Sequence, residues 1–367
     1  MRRRLSLVEP FAKQHAYCAH CPKLCRFSCP VSNAESRETT TPWAKMTSLH
    51  HVAEQNAAMS EDIAASWYGC TGCMRCRTHC THRNEVSTVL GAARAEAVHA
   101  GMAPPAAMDS IAQHGRREEK AVRSAAKLFA EAPSTSQVGY LPGCTAARLR
   151  SEEAVAGWRA TEALLGTPVH VEASGCCGLP LLEAGSVERY AEAARSLLRK
   201  LERVQTAVFL DPGCLFAMKT FARQEGKARD AQRMLHLSEL AARHIDRVHP
   251  LPGLGGARYH DPCRLGRGLG IYEAPRRVLA KILGQAPWEF HHRREDSICS
   301  GGGGQLPRTA PETAAAIARE RLDEHEWVGG GAIVTACPVS ARQFCENGAD
   351  HVHSFAVLLE ESCRNAS

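Results

Sequence analysis

Apolar residues recur along this chain in two rhythms. From Val138 onward, short runs of consecutive apolar residues alternate with longer stretches where apolar positions return every three or four residues among Arg and Glu. The first rhythm is that of a buried strand, the second that of an amphipathic helix. Val138-Gly139-Tyr140-Leu141, Ala207-Val208-Phe209-Leu210 and Ala332-Ile333-Val334-Thr335 read as strands, and Tyr190 to Val204 and Glu312 to Trp327 as helices.

The order of these elements repeats. One copy opens with Val138 to Cys144, the other with Ala257-Arg258-Tyr259-His260-Asp261-Pro262-Cys263. Each then reaches a glycine-containing loop, Cys176-Cys177-Gly178 and Cys299-Ser300-Gly301, after 31 and 35 intervening residues. A helix and a strand follow, ending in Asp211-Pro212-Gly213-Cys214 and Ala336-Cys337-Pro338. Cys177 and Cys214 are 37 positions apart, as are Ser300 and Cys337. Alternating strands and helices predict parallel βα units with cysteines at the carboxyl ends of the strands. Two such units can face each other across a pseudo-twofold. Pro250-Leu251-Pro252-Gly253-Leu254-Gly255-Gly256 separates them, since such a run continues neither a helix nor a central strand.

The N-terminal part is patterned differently. Helix-like segments flank two dense cysteine runs, and Val89 to Val98 is built of strong helix formers that stop at Gly101, before Pro104-Pro105. The expected organisation is a helical domain over 1–100, a charged, alanine-rich helical linker over 101–137, and α/β units over 138–249 and 257–367. The fold class is thus α+α/β.

Composition changes this picture at one point. Seventeen cysteines in a small secreted protein would suggest disulfides, but spread over 367 residues rich in Ala, Leu and Arg they read as thiols for metal. Met1 to Pro10 has the basic start of a signal peptide without the apolar run that must follow, and no stretch approaches the roughly 18 apolar residues of a membrane span. A soluble, cytoplasmic chain is expected, peripheral to a membrane only through another subunit.

Cys70-Thr71-Gly72-Cys73-Met74-Arg75-Cys76-Arg77-Thr78-His79-Cys80 has the C-x2-C-x2-C-x3-C spacing of a bacterial ferredoxin, with Thr81 in place of the usual proline. Cys18-Ala19-His20-Cys21-Pro22-Lys23-Leu24-Cys25-Arg26-Phe27-Ser28-Cys29-Pro30 differs by one residue before Cys25 and keeps the proline. Three close thiolates wrap one cube and the fourth reaches the neighbouring one. One [4Fe-4S] cluster would take Cys18, Cys21, Cys25 and Cys80, the other Cys70, Cys73, Cys76 and Cys29. Zinc is the competing occupant, but its sites favour two separated pairs over four cysteines packed into a dozen residues. The formal charge of +6 falls to about +2 once two clusters of about −2 are counted, and basic clusters such as His291-His292-Arg293-Arg294 lie beside acids. Nucleic-acid binding loses its support.

In the first copy Cys144, Cys176, Cys177 and Cys214 can converge on a further cluster. The second copy offers only Cys263, Cys299 and Cys337, with Ser300 and Ser340 where thiols would stand, so it either leaves an iron open or is vestigial and packed. Cys345 and Cys363 lie outside both copies and receive no function. Gly301 to Gly304 lacks the lysine of a phosphate loop and reads as a flexible loop over a metal site, while Gly266-Arg267-Gly268-Leu269-Gly270 is only a partial dinucleotide fingerprint. His260 is the histidine to watch, as a ligand or tuner or as a packed side chain.

These motifs resemble the iron-sulfur subunits in which a helical two-cluster ferredoxin domain precedes two cysteine-rich CCG domains. That family includes heterodisulfide reductase subunits and the iron-sulfur subunits of glycolate oxidase, lactate-utilisation and anaerobic glycerol-3-phosphate dehydrogenase systems. The resemblance covers almost the whole chain, through the two runs, Pro142-Gly143-Cys144, Ser174 to Gly178, His260 to Cys263, Cys299 with Gly301 to Gly304, and Thr335 to Pro338. In that family the CCG cysteines can hold a non-cubane cluster with a fifth cysteine three residues after the last; Ala217 and Ser340 occupy those places here. The resemblance implies an electron-transfer subunit of an oxidoreductase complex, working beside a flavoprotein dehydrogenase subunit, an electron-transfer flavoprotein or a membrane quinone-linked subunit. The alternatives are a heterodisulfide-reductase-like enzyme acting on a sulfur substrate at a CCG cluster, and a zinc-bound structural protein.

Overall fold

The structure, a computed structural model, describes residues 4–365; Met1 to Arg3 of the basic N-terminal stretch and the last two residues lie outside the described residues. The chain forms two compact units. One contains the N-terminal segment through His114 together with Pro180–Tyr190 and Ile298–Arg321; the other contains the rest.

The first unit is helical. Pro42–Ala53, Glu61–Tyr68 and Val86–His99 surround a core of Met46, Leu49, Trp67, Val89, Leu90 and Ala93, with Leu5 and Val8 packed into it. Local chemistry sets the helix starts: the Thr41 hydroxyl accepts from the Ala44 N–H at 3.2 Å ahead of Pro42, and Ser60 does the same for Ile63 at 3.3 Å. Within 101–137, expected to be a helical linker, lie the helix Pro105–Ala112, in this unit, and the helix His114–Leu128, which from Gly115 belongs to the second.

The second unit holds two four-stranded parallel sheets of the same topology. Strands β1 (Val138–Leu141), β2 (His170–Val171), β3 (Thr206–Phe209) and β4 (Met234–His236) lie in the order β2-β1-β3-β4. Strands β5 (Ala257–His260), β6 (Trp288–Glu289), β7 (Ala332–Thr335) and β8 (Val352–Ser354) lie in the order β6-β5-β7-β8. The repeat read from cysteine spacing is therefore a repeat of structure. Reciprocal packing gives the pseudo-twofold: helix Ser151–Leu165 of the first copy lies on Phe355–Arg364 of the second, and Glu273–Leu283 of the second on Leu237–Arg243 of the first. One core runs through both copies, with Tyr140 and Val208 from one and Tyr259, Val334 and Phe355 from the other.

The predicted helices are Val187–Leu201 and Pro311–Trp327, within a few residues of the reading. The edge strands β2, β4, β6 and β8 have two or three residues each, too few to leave a period in the sequence.

Candidate metal centres

The two ferredoxin-type runs lie in the first unit and their thiols form two groups. Cys18, Cys21, Cys25 and Cys80 line one cavity of about 640 Å³, which Cys76 also touches; Cys29, Cys70, Cys73 and Cys76 line a second, of about 20 Å³. Electrostatics reports the same neighbourhoods. Burial pushes the Cys18 thiol up to about 11 and Cys25 up to about 12, with Cys80 and Cys21 adding to the rise in both. Burial also raises Cys76 well above the usual thiol range, helped by Cys70, Cys73, Cys29 and Cys25. Such thiols stay protonated at neutral pH unless a cation takes the place of the proton.

The two groups differ in surroundings. The first opens to solvent, where its lining residues Tyr17 and Leu24 are more than half exposed. Asn84 donates to the Cys18 sulfur at 3.3 Å. The second is sealed and carries two buried cations. Lys45, 1% exposed, points its ammonium at the Cys29 sulfur (3.9 Å) and at the Gly69 carbonyl. Arg94, 4% exposed, donates to the carbonyls of Cys70 (2.8 Å), Trp67 (2.9 Å), Glu183 (3.0 Å) and Gly304 (3.1 Å). Among the described residues no carboxylate pairs with either, yet burying an uncompensated charge costs several kcal/mol. A [4Fe-4S] core with four thiolates carries about −2 and balances both, so the residues present fit that group. Both cations also oppose the burial-driven rise of Cys70.

The tetraglycine segment, expected to be a flexible loop, is a packed one. A Cβ on Gly304 would collide with the Cys70 carbonyl and one on Gly303 with the Thr71 carbonyl, and Gly304 has φ +67°. Glycine is used here so that one backbone can lie directly on the cysteine run.

In the second unit Cys144, Cys176, Cys177 and Cys214 line one small cavity. Cys144 opens helix Cys144–Leu149 just past β1, after Gly143 at φ +81°, where a Cβ would sit 3.0 Å from Asp211 and 3.4 Å from the Cys214 sulfur. Cys214 lies in the first turn of Pro212–Gln224, past β3, capped by Asp211, whose Oδ1 accepts from the N–H groups of Gly213 (2.7 Å) and Cys214 (3.2 Å). The loop cysteines are anchored through the Cys176 N–H to Glu118 Oε1 (2.9 Å), and Gly178 N–H points at the Cys176 sulfur (3.4 Å).

The four thiols bond in series: Cys144 to Cys176, Cys176 to Cys177, and Cys177 to Cys214 at 3.2 Å between sulfurs. Its own hydrogen bond and then burial hold Cys144 well above the usual thiol range. Cys214 accepts from Cys177, which favours its thiolate, but burial and the Asp211 carboxylate still push it up to about 12. A set of four buried sulfurs fits a thiophilic centre, and opening the 3.2 Å contact is the adjustment a cube would need.

Of the second-copy cysteines, Cys263 and Cys337 belong to the second unit and the buried Cys299 to the first. Burial raises the Cys337 thiol, with Asp211 and Cys263 adding to it, while the Ser340 backbone and hydroxyl donate to its sulfur. Ser300 and Ser340 are both buried. His260 is buried edge-on against Phe290 and Phe344, and Asp261 is held by both Nη atoms of Arg276 at 2.7 Å, so this pair is built into the packing. Arg267 of the glycine-rich segment donates to the carbonyls of Glu295 (2.9 Å) and Ser297 (2.7 Å), which fills that turn with protein contacts. Cys345 is exposed, and burial raises Cys363 to about 11.

Lys45, Arg94, Asn84 and Glu118 escaped the sequence reading. Arg94 left the one usable signal, a cation amid Gly91-Ala92-Ala93 and Ala95 on an otherwise small-residue helix.

The family described as 4Fe-4S dicluster domain matches residues 14–84, and that described as Cysteine-rich domain, CCG, matches residues 138–219 and 257–344. The chain belongs to the iron-sulfur proteins that join these domains. Among curated relatives, it is 26% identical over 331 residues to one of the subunits of the fumarate reductase (CoM/CoB) of Methanothermobacter marburgensis, covering 88% of this chain and 65% of that protein. It is 27% identical over 321 residues to one of the subunits of the dihydromethanophenazine:CoB--CoM heterodisulfide reductase of Methanosarcina barkeri, covering 81% of this chain and 76% of that one. Over 80 residues, 22% of this chain and 12% of the relative, it is 40% identical to a probable membrane-anchored ferredoxin of Chromohalobacter salexigens. This iron-sulfur protein thus spans about two thirds to three quarters of the first two relatives. None of its described helices is long and apolar enough to cross a membrane.

Proposed function

We propose that the protein is the electron-relay subunit of an oxidoreductase complex, passing single electrons between a flavoprotein dehydrogenase subunit and a further redox partner. Cys18, Cys21, Cys25 and Cys80 hold one [4Fe-4S] cluster, and Cys29, Cys70, Cys73 and Cys76 the other. Cys144, Cys176, Cys177 and Cys214 hold a third iron-sulfur centre. Each such cluster takes up and gives back one electron without binding substrate. The chain's own residues set the conditions. Lys45 and Arg94 favour the reduced, more negative state of the sealed cluster, while Tyr17 and Leu24 present an exposed rim at the open one for a partner to cover.

The single observation carrying this reading is the pair of four-thiol groups, one open and one sealed with two uncompensated cations. The names of the relatives, subunits of multi-part reductases, support a partner. The alternative, reduction of a disulfide at a CCG centre, has less to rest on, since Ser300, Ser340 and Ala217 stand where a fuller thiol set would be. Zinc as occupant has no support from either family. The test is anaerobic stopped-flow mixing of the reconstituted protein with a reduced flavoprotein donor. A single-turnover bleach of the cluster absorbance, reversed by a quinone analogue, is expected. Multiple turnover of a disulfide substrate with a reduced dye, lost in Cys177→Ala, would overturn the relay in favour of the enzyme.

A further inference from the structure

Beside the first thiol group but sharing no residue with it, the first unit carries a second constellation with the chemistry of a metal site. His15 lies on helix Ala12–Ala19 and His50 on Pro42–Ala53, two helices that pack together. Their Nδ1 atoms face each other at 3.0 Å, and Glu54 brings a carboxylate oxygen so that all three donor atoms lie within 4.8 Å of one another. The spacing of His50 and Glu54 follows from the helix: four residues apart, they share a face, and Glu54 closes the helix with its N–H on the His50 carbonyl at 2.9 Å. His15 is 2% exposed, while Glu54 reaches solvent. The site therefore has one rigid buried ligand, one half-buried ligand and an open side.

We propose that His15 Nδ1, His50 Nδ1 and a Glu54 carboxylate oxygen form a mononuclear divalent transition-metal site, distinct from the iron-sulfur centres. Two imidazoles and one carboxylate are a donor set that zinc and other first-row ions accept, with remaining positions left to water. The geometry is close to what binding requires. With zinc–nitrogen bonds of about 2.0–2.1 Å and a tetrahedral angle, the two nitrogens would stand about 3.3 Å apart, so the rings need open by only about 0.3 Å. Burial, and then the neighbouring His50 ring, disfavours the charged form of His15, against a smaller opposing pull from the Glu54 carboxylate. The competing arrangement is a plain hydrogen bond, in which one Nδ1 carries a proton and points at the other. In that arrangement Glu54 acts only as a nearby counter-charge to the two rings, whereas in the metal site its carboxylate oxygen is a third donor. His20 and His51 pack against the His50 ring, with centroids 5.8 and 5.7 Å away.

The test uses the full chain with its iron-sulfur clusters assembled anaerobically. Zinc chloride is added, the protein is desalted, and zinc and iron are counted together by mass spectrometry for wild type, His50→Ala and Glu54→Gln. The site predicts one zinc per chain in wild type with iron unchanged, at least tenfold weaker zinc retention in His50→Ala, and an intermediate loss in Glu54→Gln. Both variants leave buried His15 in place and should keep the wild-type iron count, which reports that they fold. Zinc taken up equally by wild type and His50→Ala, zinc gained only as iron is lost, or no zinc in wild type would each overturn the assignment. A failed relay measurement leaves this result standing, because neither histidine belongs to a proposed cluster.

Discussion

Lys45→Met should lower the midpoint potential of the sealed cluster and leave the open one nearly unchanged. The ammonium lies 3.9 Å from the Cys29 sulfur inside a site whose charge becomes one unit more negative on reduction. Taking about 7 Å from the ammonium to the cluster centre and an effective dielectric of about 20, the lost attraction is about 2 kcal/mol. For one electron that corresponds to about 100 mV. Methionine keeps most of the aliphatic stem that fills the space, so the change isolates the charge. Lys45→Arg, which keeps it, should recover most of the potential. The assay is a redox titration followed by EPR, in which the two clusters are told apart by which signal moves. A fall of less than about 20 mV, or an equal fall in both clusters, would refute the argument that buried cations are matched to this one centre.

Other consequences are equally specific. Gly304→Ala must place a Cβ on the Cys70 carbonyl at φ +67°, so a loss of about 2–4 kcal/mol is expected in thermal or denaturant unfolding, together with a changed EPR line shape for the sealed cluster. Cys214→Ser should remove iron from the first CCG set alone, leaving both ferredoxin-type signals intact in EPR. His236 is buried and bonded to the Leu210 carbonyl (3.1 Å) and to Ser238, and burial depresses its pKa to about 4. Its folded value lies below the ordinary 6.5, so the unfolded chain takes the proton first and stability falls as pH drops from about 6.5 to about 4, by about 3 kcal/mol in all. His236→Gln should flatten that slope in urea titrations across this range.

The second unit was legible because its signals are long-range and redundant. Matching 37-residue spacings, Gly143-Cys144, Asp211 to Cys214 and the strand-like runs all pointed to one repeated unit, and the two parallel sheets carry those cysteines past β1, β3, β5 and β7. The ferredoxin-type runs were equally plain, since ligand spacing is local. What could not be read was whatever depends on approach from elsewhere in the chain. Lys45 and Arg94 look like ordinary helix residues, and nothing in Gly301 to Gly304 says that its partner is the Cys70-Thr71 backbone. His260, singled out for standing beside a cysteine, is packed between rings, whereas His15 and His50, 35 residues apart, meet through helix packing that no local pattern announces.

The most direct test of the account is the metal and sulfide content of the protein purified without oxygen. Three centres predict about twelve irons and about twelve acid-labile sulfides per chain, with visible absorption that bleaches under dithionite. A colourless protein whose thiol sites hold zinc, with no labile sulfide, would contradict it.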